Sequence, residues 1–354
     1  MGPSVRGGDR GGVTDGGQDI RQDRVTCADE GTEGHRTMSK RFIGSRQTTI
    51  GREIELSGTG VHSGAPVSMV LHPAEVDTGY RFLVSKRGRI IAEIPADVRY
   101  VKNLTLCTVL GDESGVTVGT VEHLLAALRG LSVDNCYVEI DAREVPIMDG
   151  SAAAFVEAID EVGIRELSQP RKFIKVLKPI RVQDGDCWGE LTPHSGFHLD
   201  VEIDFPTPLI GRQRMALEMN AGQFRNEIAR ARTFGFMRDV ESLWKAGLAL
   251  GASLNNTIAL ADDRIMNAEG LRYPQEFVRH KVLDAMGDLA LAGGPMLGSY
   301  RSVRGGHRLN ARVVQTLLAD ADAWTMVRAP WVREAVPVDV SVGAAAVNYA
   351  ADRT

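Results

Sequence analysis

Apolar residues recur along this chain at two spacings, and the switches between them outline its elements. Val121, Leu124, Leu125 and Leu128 fall at i, i+3, i+4 and i+7, so the spacing predicts a helix over 120–130 with Thr120 as its cap. Residues 275–291 give the clearest helix: Val278, Val282, Ala285 and Leu289 share one face, and Gly293-Gly294-Pro295 ends it. Shorter helical patterns cover 151–162, 221–231 and 309–318. Brief β-prone runs occupy 67–71, 80–84, 90–94, 105–110 and 136–140, with a turn at 85–88. The pattern restarts near Gln169-Pro170, where 173–182, 187–191 and 197–205 read as a meander with turns at 184–186 and 194–196.

Strands followed by helices, twice over, predict an α+β fold rather than a doubly wound parallel sheet. The expected division is one α+β domain over 39–170 and a second over 171–315, with a C-terminal segment over 316–354. Residues 1–38 are rich in Gly, Asp, Arg and Thr and show no period. Such a stretch cannot bury enough apolar surface to offset its ordering entropy, so it is expected to be disordered, with Met38 as an alternative start. Beyond Trp331 the residues are small and apolar without a period.

Composition then removes whole classes of function. With 354 residues, 43% hydrophobic and 25% charged, the chain has the balance of a soluble globular protein. A net charge of −5 is not the basic footprint of a nucleic-acid binder. No run approaches the ~18–20 apolar residues of a membrane span, and the first residues lack the apolar core of a secretory signal. At most a peripheral membrane contact is expected, and a monomer in the cytoplasm. The four cysteines (Cys27, Cys107, Cys136, Cys187) are scattered and fit free thiols in a reducing compartment. Any metal must therefore be held by histidines and carboxylates. No glycine-rich phosphate loop follows a strand, so a kinase or dehydrogenase has little support.

His280, Asp284 and Asp288 are successive i, i+4 neighbours on the 275–291 helix, forming one polar ridge. An imidazole and a carboxylate one turn apart can reach a single zinc ion, and the third group can orient a neighbour. Alone, this spacing fits a solvated face with a His–Asp hydrogen bond better than a ligand pair. Glu122-His123 lie off the apolar stripe in the first turn of their helix, a ligand beside a base as metal-assisted hydrolysis needs. They also fit a helix-start Glu beside an exposed His. His307, in the loop RGGHRLN (304–310), could donate a proton or be an ordinary loop histidine. Thr233 offers a hydroxyl to a developing oxyanion. Two His and one Asp leave zinc's fourth position open, which is the catalytic pattern.

Taken together, TVEHLLAAL (120–128), VPIMDGSA (145–152), ARARTFGF (229–236), FVRHKVLD (277–284) with Gly287-Asp288-Leu289, and GTGVHSG (58–64) resemble the signatures of the UDP-3-O-acyl-N-acetylglucosamine deacetylase family. These are zinc enzymes of the lipid A pathway in Gram-negative bacteria, and the resemblance runs from about residue 48 to about 315. It implies two domains of similar topology, helices sandwiched between β-sheets, and an active site in the inter-domain cleft. It implies zinc on His123, His280 and Asp284, Glu122 as general base, His307 as general acid with Asp288 as its partner, and Thr233 at the oxyanion. Lys281 and Phe234 match positions that contact substrate, and 235–261 matches an insert that forms an apolar passage for the acyl chain. The implied reaction removes an N-acetyl group from a UDP-linked, acylated amino sugar.

Three positions depart from the family pattern: Thr207 before Pro208, Ala311 and Asn255 stand where His, Asn and Asp are more usual. None touches the proposed metal ligands, so they bear on substrate contacts. Two other readings stay open: a zinc amidohydrolase acting on another acylated amino sugar, and a non-catalytic UDP-lipid-binding protein.

Overall fold

The apolar stripe over 121–128 does what its spacing demands. In the computed structural model, which describes residues 45–329, α1 (Glu122–Gly130) buries Leu124, Leu125 and Leu128 completely. The expectations for 1–38 and for the stretch after Trp331 lie outside the described residues. In chain order the further helices are α2 (Ala153–Val162), the single turn α3 (Ala221–Gln223), α4 (Met237–Lys245), α5 (Glu276–Leu289) and α6 (His307–Ala319). A wide π-type turn, Phe224–Ile228, continues α3.

Two sheets are built on one plan, and the mixture of sheets and helices is α+β. The first runs in the order Ile54–Thr59, Pro66–Pro73, Cys136–Ile140, Tyr80–Lys86, Arg89–Pro95. The second contains Ile180–Asp184, Cys187–Thr192, Met296–Val303, Phe197–Asp204 and Arg212–Glu218, joined in that order. In both, two antiparallel hairpins flank a central strand that enters only after a long helix. That strand runs antiparallel to one neighbour and parallel to the other. Thus α1 followed by Cys136–Ile140 corresponds to α5 followed by Met296–Val303. Lys172–Val176 and Trp324–Arg328 extend the second sheet to seven strands.

Helices α1, α2, α5 and α6 pack on one another and on these sheets. Among the described elements, α2 packs on α1 and on Ile54–Thr59, α5 packs on Phe197–Asp204 and Arg212–Glu218, and α6 packs on Ile180–Asp184 and Cys187–Thr192. The two layers meet where α1 lies against α5. Gly287 makes that approach possible, because a Cβ there would be driven into the backbone carbonyl of Glu122.

Several local expectations need correction. The 187–205 segments do not form a meander, because Met296–Val303 inserts between Cys187–Thr192 and Phe197–Asp204. Its inward residues are Met296, Gly298, Tyr300 and Ser302, too polar a set to show a period-2 stripe. The 173–182 run breaks into Lys172–Val176 and Ile180–Asp184 around Pro179, which has no backbone donor for a ladder. Only Val109 and Leu110 of the 105–110 run are in a strand, and Leu106 turns with a φ of 67°. Thr120 does not cap α1. It adopts a φ of 54°, its hydroxyl donates to Glu144 Oε1 at 2.9 Å, and Val121 stands at the cap without a side-chain bond.

Candidate active site

The contact between α1 and α5 brings five of the sequence-predicted residues together. The first turn of α1 carries Glu122 and His123; successive turns of α5 carry His280, Asp284 and Asp288. All five are between 1% and 4% exposed. The solvated-face alternatives therefore fail: these are polar groups inside the molecule, where each needs a partner. His307 is not in a loop but is the first residue of α6, also buried.

His123, His280 and Asp284 converge, with one potential ligand atom from each lying within 4.8 Å of the others. His280 Nε2 is 3.3 Å and His123 Nε2 3.6 Å from Asp284 Oδ1. The two imidazoles meet edge to face, with centroids 5.0 Å apart. His280 Nδ1 faces the Ala231 carbonyl at 3.1 Å. Donation there fixes the tautomer and leaves the Nε2 lone pair on the Asp284 side. Burial pushes the His280 pKa down to about 3 against the pull of Asp284, so the imidazole is neutral, the ligating form. Lys281 Nζ holds Asp284 Oδ2 at 2.8 Å, while the buried Oδ1 has no hydrogen-bond partner. An orphaned carboxylate oxygen facing two imidazole nitrogens fits a metal cation, and nitrogen–oxygen donors suit a divalent ion.

Beside this set lies a carboxylate–imidazole pair. Glu122 Oε2 accepts from the Thr108 backbone N–H at 3.1 Å, and its Oε1 is 3.7 Å from His307 Nε2. Burial raises the Glu122 pKa, opposed by His307 and His123. His307 Nδ1 meets Asp288 Oδ2 at 2.8 Å. Asp288 also accepts from the Thr108 hydroxyl at 2.6 Å and from Asn310 Nδ2 at 2.8 Å, and Tyr300 donates to Asn310 Oδ1 at 2.6 Å. Burial alone would lower the His307 pKa, but the Asp288 and Glu122 carboxylates outweigh it and raise it to about 10. Across from the Glu122 carboxylate thus stands a protonated imidazole.

The segment bearing Thr233 and Phe234 forms the adjoining wall. Thr233 N donates to the Gly150 carbonyl and its own carbonyl accepts from Ile258 N, both at 2.8 Å. A buried pair anchors the same segment to the start of α5: Arg232 Nε donates to Glu276 Oε1 at 2.9 Å. The Phe234 ring packs edge-on to Phe277 and lies 6.2 Å from the His280 ring, with Lys281 Nζ 5.5 Å from its centre. A separate cavity lined by Tyr80, Arg129 and Asp134 lies at the opposite, C-terminal end of α1 and contains none of these residues.

Sequence reasoning missed four residues of this network. Thr108 holds both Glu122 and Asp288, and Asn310 braces Asp288. Glu144 accepts from the backbone N–H groups of His62 and Ser63, both at 2.9 Å, as well as from Thr120. His62 faces the insert, its Nδ1 lying 3.4 Å from Ala249 N. GTGVHSG is the one available signal for His62; nothing in the spacing marks the other three.

Comparison with known proteins agrees with this geometry. Residues 47–319 match the family model described as LpxC, UDP-3-O-acyl N-acetylglycosamine deacetylase. Proteins named UDP-3-O-acyl-N-acetylglucosamine deacetylase from Brucella ovis and Brucella canis are each 52% identical over 286 residues, covering 80% of this chain and 99% of the relative. The protein of that name from Brucella melitensis is 51% identical over the same length. This chain belongs to the UDP-3-O-acyl N-acetylglycosamine deacetylase family.

Proposed function

We propose that the chain is a zinc-dependent deacetylase that hydrolyses the N-acetyl amide of UDP-3-O-(3-hydroxyacyl)-N-acetylglucosamine and releases acetate, a step of lipid A biosynthesis. The observation that carries this reading is the joining of two clusters at one helix crossing. His123, His280 and Asp284 offer converging donor atoms, and Glu122 and His307 stand 3.7 Å apart beside them. A binding protein needs neither of the latter two.

Zinc held by His123, His280 and Asp284 would supply Lewis-acid polarisation of the amide carbonyl. Glu122, fixed by the Thr108 N–H, takes a proton from the attacking water as its oxygen bonds to the carbonyl carbon. The Thr233 hydroxyl donates to the developing oxyanion. His307, held at Nδ1 by Asp288, presents Nε2–H and protonates the amine as the C–N bond breaks. Lys281 and Phe234 line the approach of the substrate, with Lys281 also fixing Asp284.

The same reading makes 39–170 and 171–315 two domains with the site in the cleft between them, supported by the repeated strand plan. Residues 235–261 then form the passage for the acyl chain; Trp244, Leu250 and Leu254 there are exposed and apolar. A cytoplasmic monomer fits the buried free thiols Cys107 and Cys136. Among the described residues no helix is long and apolar enough to cross a membrane. Acetate release from the acylated UDP-sugar tests the assignment: wild type should turn it over and Glu122→Gln should not. Full activity in the variant would remove Glu122 from the mechanism, and absence of release by metal-loaded wild type would leave only a binding role.

A further inference from the structure

The hairpin joining Tyr80–Lys86 to Arg89–Pro95 carries chemistry that the active site does not use. Its two-residue turn has positive φ at both centres, Arg87 at 53° and Gly88 at 70°, the geometry of a tight, twist-matched hairpin. The turn therefore projects Lys86, Arg87 and Arg89, all exposed, with Ile90 and Ile91 beside them at 48% and 50% exposure. No acidic residue occurs between 78 and 92. Among the described residues these three cations make no ion pair, whereas the nearby Arg81 is paired with Glu93. Cations alone would be ordinary protection for an edge strand. Two adjacent exposed isoleucines work against such protection and need another explanation.

The sheet register shows which way this tip faces. Met69 pairs with Ile140, and Ile140 pairs with Val84. Two residues further along, Lys86, the last residue before the turn, comes level with Val67, next to Pro66 and two strand spacings or about 10 Å away across the sheet. Pro66 ends the loop that carries His62, and Leu250 of the insert donates its N–H to the His62 carbonyl at 3.1 Å. The basic, apolar tip and the exposed Leu250 thus share the end of the first sheet at which the proposed substrate enters.

We propose that the 86–91 hairpin tip docks this protein on an anionic phospholipid bilayer, with the cations at the headgroups and Ile90 and Ile91 in the interface. The choice of a bilayer rests in part on the proposed acylated substrate. The charge complementarity does not, and neither does the test. The full-length chain is sedimented, without substrate, with vesicles containing phosphatidylglycerol and with vesicles of phosphatidylcholine alone. Wild type is expected to pellet with the former, to be released by raised salt, and to stay in solution with the latter. The variant Lys86→Gln/Arg87→Gln/Arg89→Gln should partition roughly 100-fold less, and Ile90→Ser/Ile91→Ser should also bind more weakly, both with wild-type melting curves. Turnover of a water-soluble, short-chain substrate should be unchanged in both. Wild type that ignores anionic vesicles, or a charge variant that binds them equally, overturns the proposal and leaves the deacetylase reading untouched.

Discussion

His307 and Asp288 form a buried pair at 2.8 Å, and every remaining contact of Asp288 is also a donor: the Thr108 hydroxyl and the Asn310 amide. These donors fix the orientation of the carboxylate, whose charge beside His307 raises the pKa of that imidazole. The carboxylates facing His307 are Asp288, Glu122 and Asp284, and His62, whose own pKa is lowered by burial and by His307, stands nearby. Replacing Asp288 by Asn leaves burial to act with less opposition, so the His307 pKa falls. The alkaline limb of kcat/KM should move to lower pH by about one unit or more. A limb that does not move would take the proton-donor role away from His307.

The same pair has a consequence for stability. The folded pKa of His307 is raised from 6.5 to about 10. Its contribution is therefore complete below about pH 6.5 and is lost as pH climbs through 10. Melting temperature should fall across that window in wild type and fall less in His307→Gln, measured by circular dichroism.

His280→Ala removes one of three converging donors and the bond to the Ala231 carbonyl. Bound zinc should drop from about one per chain to well under half, and acetate release should vanish with it. Metal analysis of dialysed protein checks this. Retention of a full equivalent would move the metal elsewhere.

Gly287→Ala offers a test with an unusual sign. In an ordinary helix interior the change stabilises by about 1 kcal/mol. Here the new methyl meets the Glu122 backbone, which cannot turn aside as a side chain could. A net loss of about 1–3 kcal/mol is expected, with a larger fall in activity because α1 carries both Glu122 and His123. A stabilised variant would show that the helices are free to separate.

Glu144→Gln probes how the start of α1 is held. The carboxylate accepts from His62 N, Ser63 N, the Ser63 hydroxyl and the Thr120 hydroxyl. An amide turns one acceptor into a donor facing donors, and such bonds to charged groups are worth about 1.5–3 kcal/mol. Thr120, two residues before Glu122, would lose its tether. A fall in kcat of roughly tenfold is expected with zinc content intact; unchanged kcat would confine Glu144 to the surface loop.

The stripe of α1 and the polar ridge of α5 are legible in the amino-acid sequence, because a helix repeats at 3.6 residues and both faces are long enough to show it. Cys136–Ile140 is found at its expected bounds. Met296–Val303 is not legible, because its inward face mixes Gly and Ser with Met and Tyr, and its partners lie about a hundred residues away. Burial of the polar ridge is equally hidden: Asp284 and Asp288 look like solvent-facing carboxylates until α1 covers them. Thr108 escapes because its work is done by a backbone N–H and a short hydroxyl, for which sequence has no period.

The repeated plan, in which each central strand is made only after both hairpins that flank it, also sets a schedule for synthesis. A nascent chain reaching Asp284 already contains all three proposed metal ligands, but Met296–Val303, which joins the two hairpins beneath α5, has yet to be made. His307 follows later still. Hydrolytic competence therefore waits until both that strand and His307 have been made, and a prematurely terminated product lacking them would hold ligands without a site.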